Sequence, residues 1–150
     1  MKSKTLISWL IAIWASYVFL ESLPYKFTGA AEPIHIFSVI GAWISSFLGN
    51  TIGALFANYG AYLVGSFELL TSLVLLSPIV LKNKRQRIHF IGGIMATTVM
   101  SGAVFFHLIT PLGWIVEWTE NGQTYRDADL ANAALSIIIL GLVLTYINKK

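Results

Sequence analysis

Four long apolar segments constrain this chain more than any other feature of its sequence. An α-helix rises about 1.5 Å per residue and a bilayer's hydrocarbon core is about 30 Å thick, so one crossing needs about 20 apolar residues. The segments lie roughly at residues 5–23, 58–81, 88–109 and 130–147. Charged residues make up only 11% of the chain, against about 25% in soluble domains. The sequence therefore predicts an all-α membrane protein, a single four-transmembrane-helix bundle.

The basic residues predict how these four segments are oriented. Eight of the ten Lys and Arg residues fall on one side of the bundle, namely Lys2, Lys4, Lys82, Lys84, Arg85, Arg87, Lys149 and Lys150. Only Lys26 and Arg126 fall on the other side. Because Lys and Arg are retained in the cytoplasm, both termini are predicted to be cytoplasmic. These residues cluster at helix ends and not along one face, so they do not indicate nucleic-acid binding.

The two outer connections are predicted to hold additional structure. Residues 22–57 include Pro33, which suits the first turn of a helix, and apolar residues at helical spacing follow it as far as Leu48. This pattern predicts a short amphipathic outer helix that lies at the membrane surface or folds onto the bundle. In the second connection, Asn121-Gly122 favours a tight turn between alternating apolar and polar residues. A small outer β-hairpin is predicted there.

Glu68 is the most informative polar residue, because it lies within an apolar segment. It is ten residues into the second predicted span, about 15 Å deep and near the midplane. A carboxylate there costs about 2.5–3.5 kcal/mol on insertion scales, so it must be protonated, paired or facing a cavity. One interpretation is a proton-handling or quinone-contacting acid. The other is a protonated carboxyl bonded to a neighbouring helix, with candidate partners Ser16, Tyr17, Thr97 and Ser101.

Three further polar residues are predicted to share a pocket with Glu68. Glu21 and Lys26 bracket Pro24 at the outer end of the first span. In one interpretation they form an interfacial salt bridge. In the other, Lys26 holds an anionic headgroup or a quinone oxygen. His107 lies near the outer end of the third span, where it either passes protons or bonds to a carbonyl or to Glu21. These four residues are predicted to line one outward-facing pocket with Glu68 at its floor.

Small residues on the third span predict close helix packing. Gly93, Thr97 and Ser101 recur every four positions, the small-xxx-small spacing that lets helix backbones approach one another.

No intrinsic cofactor or metal is predicted. His89 and His107 are 18 residues apart on one helix, about 27 Å, and cannot ligate one haem iron. His35 with His107 is an open geometric alternative, but His35 is predicted to lie in an irregular region. The acidic residues of the second connection match no metal loop and are interpreted as a solvated outer face; they are Glu117, Glu120, Asp127 and Asp129. The chain also has no cysteine and no self-contained catalytic motif.

Three stretches, found in this order along the chain, carry a family resemblance. They are Tyr25-Lys-Phe-Thr-Gly29 followed by Glu32-Pro-Ile-His-Ile-Phe37, Gly65-Ser-Phe-Glu-Leu-Leu70 running on to Leu75-Leu-Ser-Pro78, and Met100-Ser-Gly-Ala-Val-Phe-Phe-His-Leu108. Together they resemble the DoxX family of small bacterial four-helix membrane proteins. The resemblance implies a four-helix bundle in the bacterial inner membrane. It also implies association with membrane redox systems, because family members serve as subunits of thiosulfate:quinone oxidoreductase or accompany oxidative-stress enzymes.

The leading functional hypothesis is therefore a DoxX-like accessory subunit that interacts with a quinone or lipid. Membrane or soluble redox subunits, and further copies of the chain, are its expected partners. One alternative is a small oligomeric proton-linked transporter with Glu68 as the coupling acid. Another is a scaffold or assembly factor that clamps partner helices through the stripe from Gly93 to Ser101.

Overall fold

The computed structural model describes residues 2–149, which form five long helices and one hairpin. The helices are α1 Lys2–Thr28, α2 Ala31–Leu48, α3 Asn50–Leu76, α4 Arg85–Ile109 and α5 Asp129–Asn148. Two short 3₁₀ turns, Ser77–Ile79 and Lys82–Lys84, connect α3 to α4. Strands β1 Val116–Glu120 and β2 Gln123–Asp127 pair antiparallel between α4 and α5. Lys150, which the orientation prediction includes, lies outside the described residues.

All five helices are long and apolar enough to cross a membrane. They also carry large apolar side chains on their outer faces, such as Leu10 on α1, Leu63 on α3 and Leu142 on α5, each more than half exposed. Water-soluble proteins seldom expose apolar surface so extensively. These features support the predicted multi-pass membrane protein. The count of four spans is not confirmed, because α2 meets the same criteria as the other helices.

The helices are longer than the apolar segments suggested. Helix α1 continues through Pro24 to Thr28, beyond the predicted end at residue 23. Helix α3 begins at Asn50, ahead of the predicted residue 58, and ends at Leu76, before the predicted residue 81. Between α2 and α3 the break is a single residue, Gly49, whose φ of 89° is readily adopted only by glycine. The outer helix that Pro33 predicts is therefore present as α2, but it turns directly into α3 without a loop.

The hairpin around Asn121-Gly122 is confirmed. Glu120 and Gln123 form the last pair before the turn, and both turn residues have positive φ, 53° at Asn121 and 77° at Gly122. This is the backbone geometry that makes Asn-Gly the preferred two-residue turn between antiparallel strands.

Helices α2 and α3 form a tight antiparallel pair. Phe37 on α2 lies against Gly60, whereas Ser45, further along α2, lies against Gly53 nearer the start of α3. A Cβ atom added to Gly53 would collide with Ser45. Glycine at this position therefore allows the two helices to approach closely.

Helix α1 is also antiparallel to α3. Ser22 bonds to Glu68, and Phe27, further along α1, packs on Tyr62, which comes earlier on α3. Helices α1 and α2 are both antiparallel to α3 and are separated only by residues 29–30. Helix α2 therefore continues along α3 in the same direction as α1.

The bundle has two chemically different ends. The start of α1, the connection between α3 and α4, and the end of α5 meet at what we call the basic end, which carries Lys4, Lys82, Lys84, Arg85, Arg87 and Lys149. A hydrogen bond from Asn148 to Ser8 joins α5 to α1 there, at 2.9 Å. The opposite end holds the end of α1, helix α2 and the connection with the hairpin. We call it the acidic end.

A separate apolar cluster closes the acidic end. Ile40 and Ile44 on α2 pack with Leu112 and Val116 from the segment after α4. The main core lies further along the bundle, around Phe19, and contains residues from α1, α3, α4 and α5. Helix α2 and the hairpin segment thus form a second small core, which lies nearer the acidic end than the main core does.

Candidate functional site

A cavity of about 680 Å³ lies toward the acidic end, and all five helices contribute to its wall. Most of the wall is apolar and includes Trp14, Phe19, Phe37, Phe67, Met100 and Phe106. A volume of this size lies within the range of small-molecule sites, which are mostly apolar with a few placed polar groups. All four residues predicted to share a pocket line this cavity, namely Glu21, Lys26, Glu68 and His107.

The central polar feature of the wall is an ion pair between α1 and α3. Lys26 Nζ lies 2.7 Å from Glu68 Oε2 and 3.0 Å from Oε1. The side chains are only 14% and 4% exposed, respectively. Ser22 Oγ completes the group, since it donates to Glu68 Oε2 at 2.9 Å and accepts from Lys26 at 2.8 Å. The carboxyl group of Glu68 is therefore buried and paired, which is one of the states that its position requires.

The partners of this group differ from those suggested by the sequence. In the described part of the chain, the carboxyl of Glu68 makes no hydrogen bond to any of its predicted neighbours, Ser16, Tyr17, Thr97 and Ser101. Because α1 continues past Pro24, Ser22 and Lys26 are four residues apart on one helical face. Glu21 is five residues from Lys26 and about 140° away around the helix. Lys26 therefore pairs with Glu68 and not with Glu21, which is exposed.

The position of Lys26 also favours its charge. Lys26 lies in the last turn of α1, where unbonded backbone carbonyls give the helix end a partial negative charge. Lys26 lines the cavity, and its ammonium reaches Glu68. Both the helix end and the carboxylate therefore stabilise the ammonium.

His107 is fixed by the segment that follows α4. It is 6% exposed, and its Nδ1 lies 2.7 Å from the carbonyl oxygen of Gly113. A carbonyl oxygen only accepts, so Nδ1 carries a proton and donates it to this bond. This is the carbonyl-bonded arrangement that the sequence left open as an alternative. The ring nevertheless lines the same cavity as the ion pair.

The cavity wall contains acidic residues that sequence reasoning did not assign to it. Glu32, Asp127 and Asp129 line the cavity, whereas Glu117 and Glu120 are exposed on the hairpin, as expected for a solvated face. In the sequence, Glu32 directly precedes Pro33, the residue that predicts the start of the outer helix. Among residues 2–149, no group of three or more His, Asp or Glu side chains is arranged to hold a metal ion.

The small-residue stripe on α4 packs against α5. A Cβ atom on Gly93 would lie 2.6 Å from Thr145 Oγ1 and 2.9 Å from the carbonyl oxygen of Gly141. Thr97 also lies against Gly141. Ser101 is exposed, so the contact ends one turn earlier than the spacing predicts. Gly141 is the partner that makes this close approach possible.

A second buried polar cluster lies at the basic end. His89 is completely buried, and its Nδ1 lies 2.6 Å from Ser8 Oγ. Ser8 Oγ also accepts a hydrogen bond from Asn148 Nδ2, so the Ser8 hydroxyl bonds to side chains of two other helices. The cluster joins α1, α4 and α5. Sequence reasoning considered His89 only as a haem ligand and missed this role.

Comparison of the chain with protein-family models, with curated proteins and with solved structures finds no match. The resemblance to the DoxX family, carried by the stretches quoted above, therefore stays a prediction. The functional proposal depends mainly on the cavity and its polar wall.

Proposed function

We propose that the chain is an accessory subunit of a membrane redox or oxidative-stress system and that it binds a quinone- or lipid-like molecule in the cavity. The observation that carries this proposal is a largely apolar cavity with a buried ion pair, Lys26–Glu68, in its wall. An apolar wall suits a hydrophobic body, and a few fixed polar groups suit one polar head. The DoxX resemblance supplies the redox setting.

We also propose that four helices cross the membrane and that α2 remains at the acidic end. Helices α1 and α2 run in the same direction along α3, with only residues 29–30 between them. Once α1 has crossed, a helix that continues in the same direction has no bilayer left to cross. The basic end then faces the cytoplasm, and the cavity lies toward the outer face of the inner membrane.

The accessory role follows from the side chains that line the cavity. Lys26, Glu68 and His107 can bind a polar head, orient it and exchange protons with it. The chain has no cysteine, so it offers no thiol for electron transfer. Electrons would be carried by the bound molecule or by a partner subunit.

The two alternatives make different demands on the structure. A scaffold that clamps partner helices through the stripe from Gly93 to Ser101 needs the whole stripe to be accessible. Helix α5 covers Gly93 and Thr97, and only Ser101 is exposed. A proton-linked transporter built from so few helices needs a pathway shared between copies. Purification as a monomer in lipid nanodiscs would exclude the shared pathway and favour the accessory role.

Gly102 offers a direct test of the cavity. It lines the cavity, and a Cβ atom added to it meets no atom within 4 Å, so a larger side chain has open space to enter. Gly102→Leu should therefore fill part of the cavity without damaging the helix, since leucine is the better helix former. Ser101→Leu on the exposed neighbouring position is the matched control.

The measurement is native mass spectrometry of protein purified in nanodiscs from its own membrane. We expect a quinone- or lipid-sized molecule on the wild-type chain and on Ser101→Leu, and its loss from Gly102→Leu. A molecule that binds Gly102→Leu equally well lies outside the cavity and contradicts the proposal. A wild-type chain that retains no such molecule also contradicts it.

A further inference from the structure

The buried polar groups of the cavity have unequal hydrogen-bonding capacity left for a ligand. An ammonium group has three protons, and Lys26 directs them at three acceptors: Glu68 Oε1, Glu68 Oε2 and Ser22 Oγ. Lys26 therefore has no unused donor. The single hydroxyl proton of Ser22 lies within reach of both Phe19 O and Glu68 Oε2, so it too is committed.

Glu68 and His107 retain acceptor capacity instead. A carboxylate offers about four acceptor positions, and Glu68 receives one bond on Oε1 and two on Oε2. One position on Oε1 is left. His107 donates through Nδ1 to Gly113, so in the neutral ring Nε2 is an acceptor. The buried groups with capacity left for a ligand are therefore Glu68 Oε1 and, in the neutral ring, His107 Nε2, and both accept hydrogen bonds.

The charge of the cavity wall also favours ligands that donate hydrogen bonds. Among the residues that the structure describes, five carboxyl groups line the cavity, those of Glu21, Glu32, Glu68, Asp127 and Asp129, against one ammonium, that of Lys26. An excess of negative charge around a low-dielectric cleft repels anions and favours donors and cations. The other hydroxyl donors in the wall, Tyr17, Tyr25 and Thr98, are exposed, so none of them is a buried donor fixed inside the cavity.

We infer that the cavity selects amphipathic molecules whose head group donates hydrogen bonds, and that it therefore binds a quinol in preference to the corresponding quinone. A quinol hydroxyl can donate to Glu68 Oε1, whereas a quinone carbonyl only accepts and meets no free buried donor. This inference depends on the proposed function, because it specifies the head group of the molecule that the cavity binds. A lipophilic amine shares the donor chemistry, and a fatty carboxylate lacks it.

The experiment compares a decyl-substituted benzoquinol with the same benzoquinone, under anaerobic conditions, on protein in nanodiscs of neutral lipid. A bond from a neutral donor to a charged acceptor predicts that the quinol binds at least about tenfold more tightly. Decylamine should displace the bound quinol and decanoate should not. Quinol and quinone binding with equal Kd, or a tighter quinone, would overturn the inference while leaving the proposed function intact. If neither molecule binds, the inference fails together with the quinone-binding form of the proposed function.

Two variants assign the preference to Glu68. Glu68→Gln replaces an acceptor oxygen with an amide donor, so the ratio of the two Kd values should fall from about tenfold to below about threefold. Glu117→Gln, on the exposed hairpin, is the matched control and should leave the ratio unchanged. Ser22→Ala removes a donor to Glu68 and should keep or increase the ratio, which provides an independent test if Glu68→Gln does not fold. A ratio lost in Ser22→Ala, or kept in a folded Glu68→Gln, would contradict the assignment.

Discussion

Lys26→Met should destabilise the bundle by about 3 kcal/mol. Methionine keeps most of the aliphatic stem but removes both bonds to Glu68, whose side chain is only 4% exposed. Loss of one partner from a buried ion pair costs about 3–5 kcal/mol, because the remaining charge stays buried without compensation. The Lys26 side chain is 14% exposed, which places the expected cost at the lower end of this range. That corresponds to about a hundredfold change in the folding equilibrium.

A double-mutant cycle separates this effect from lost packing. Glu68→Met in the Lys26→Met background removes the second charge as well, so we expect the double variant to recover most of the stability, to within about 1 kcal/mol of wild type. Unfolding free energies can be measured by steric trapping in lipid. Lys82→Met, at an exposed lysine of the basic end, is the control and should change stability by less than about 0.5 kcal/mol.

The reasoning is refuted by either of two results. If Lys26→Met costs less than about 1 kcal/mol, the carboxylate of Glu68 does not need the ammonium for its burial. If the double variant is as unstable as Lys26→Met, the loss comes from altered packing and not from the unpaired charge of Glu68.

Two further substitutions test the packing and the second polar cluster. Gly93→Ala should lower the free energy of unfolding by about 1–3 kcal/mol in the same assay, because its Cβ would press on Thr145 and Gly141. Gly102→Ala, where the space is open, is the control and should be neutral or stabilising. Equal effects of the two substitutions would contradict the close contact at Gly93. Ser8→Ala should cost about 1–3 kcal/mol, because it leaves buried His89 Nδ1 without its hydrogen-bond partner. Ser66→Ala, whose exposed hydroxyl bonds to a carbonyl of its own helix, is the control and should cost less than about 0.5 kcal/mol. A cost of Ser8→Ala below that of Ser66→Ala would show that the cluster contributes nothing to stability.

Much of the bundle could be predicted because hydrophobic length is a local property. The predicted start of the last span, residue 130, is within one residue of Asp129, and the turn at Asn121-Gly122 depends only on backbone preferences. The extent of α1 and α3 was harder to predict. Pro24 and the glycines near residue 53 suggest breaks, yet packing keeps these stretches helical, and Gly53 is needed for the contact with α2. Tertiary contact overrides local propensity at both places.

For the site, the sequence identified the residues better than their pairings. Glu68 was found because a carboxyl in an apolar segment requires a polar environment, and Lys26 and His107 because they lie near span ends. Their partners depend on how the helices rotate about their axes, which a single sequence does not reveal. The bond from Ser22 to Glu68 spans 46 positions and has no local signature. Glu32 was missed for the same reason, since only the fold brings α2 over the cavity.

The bond between Asn148 and Ser8 has a consequence for assembly in the membrane. It links residues 140 positions apart, so the contact cannot exist until the fifth helix has entered the bilayer. Until then Ser8 lacks the hydrogen bond from Asn148, and unsatisfied polar groups are costly in hydrocarbon. A chain arrested before that helix would therefore offer a polar face to membrane chaperones or proteases, and arrival of Asn148 would hide it.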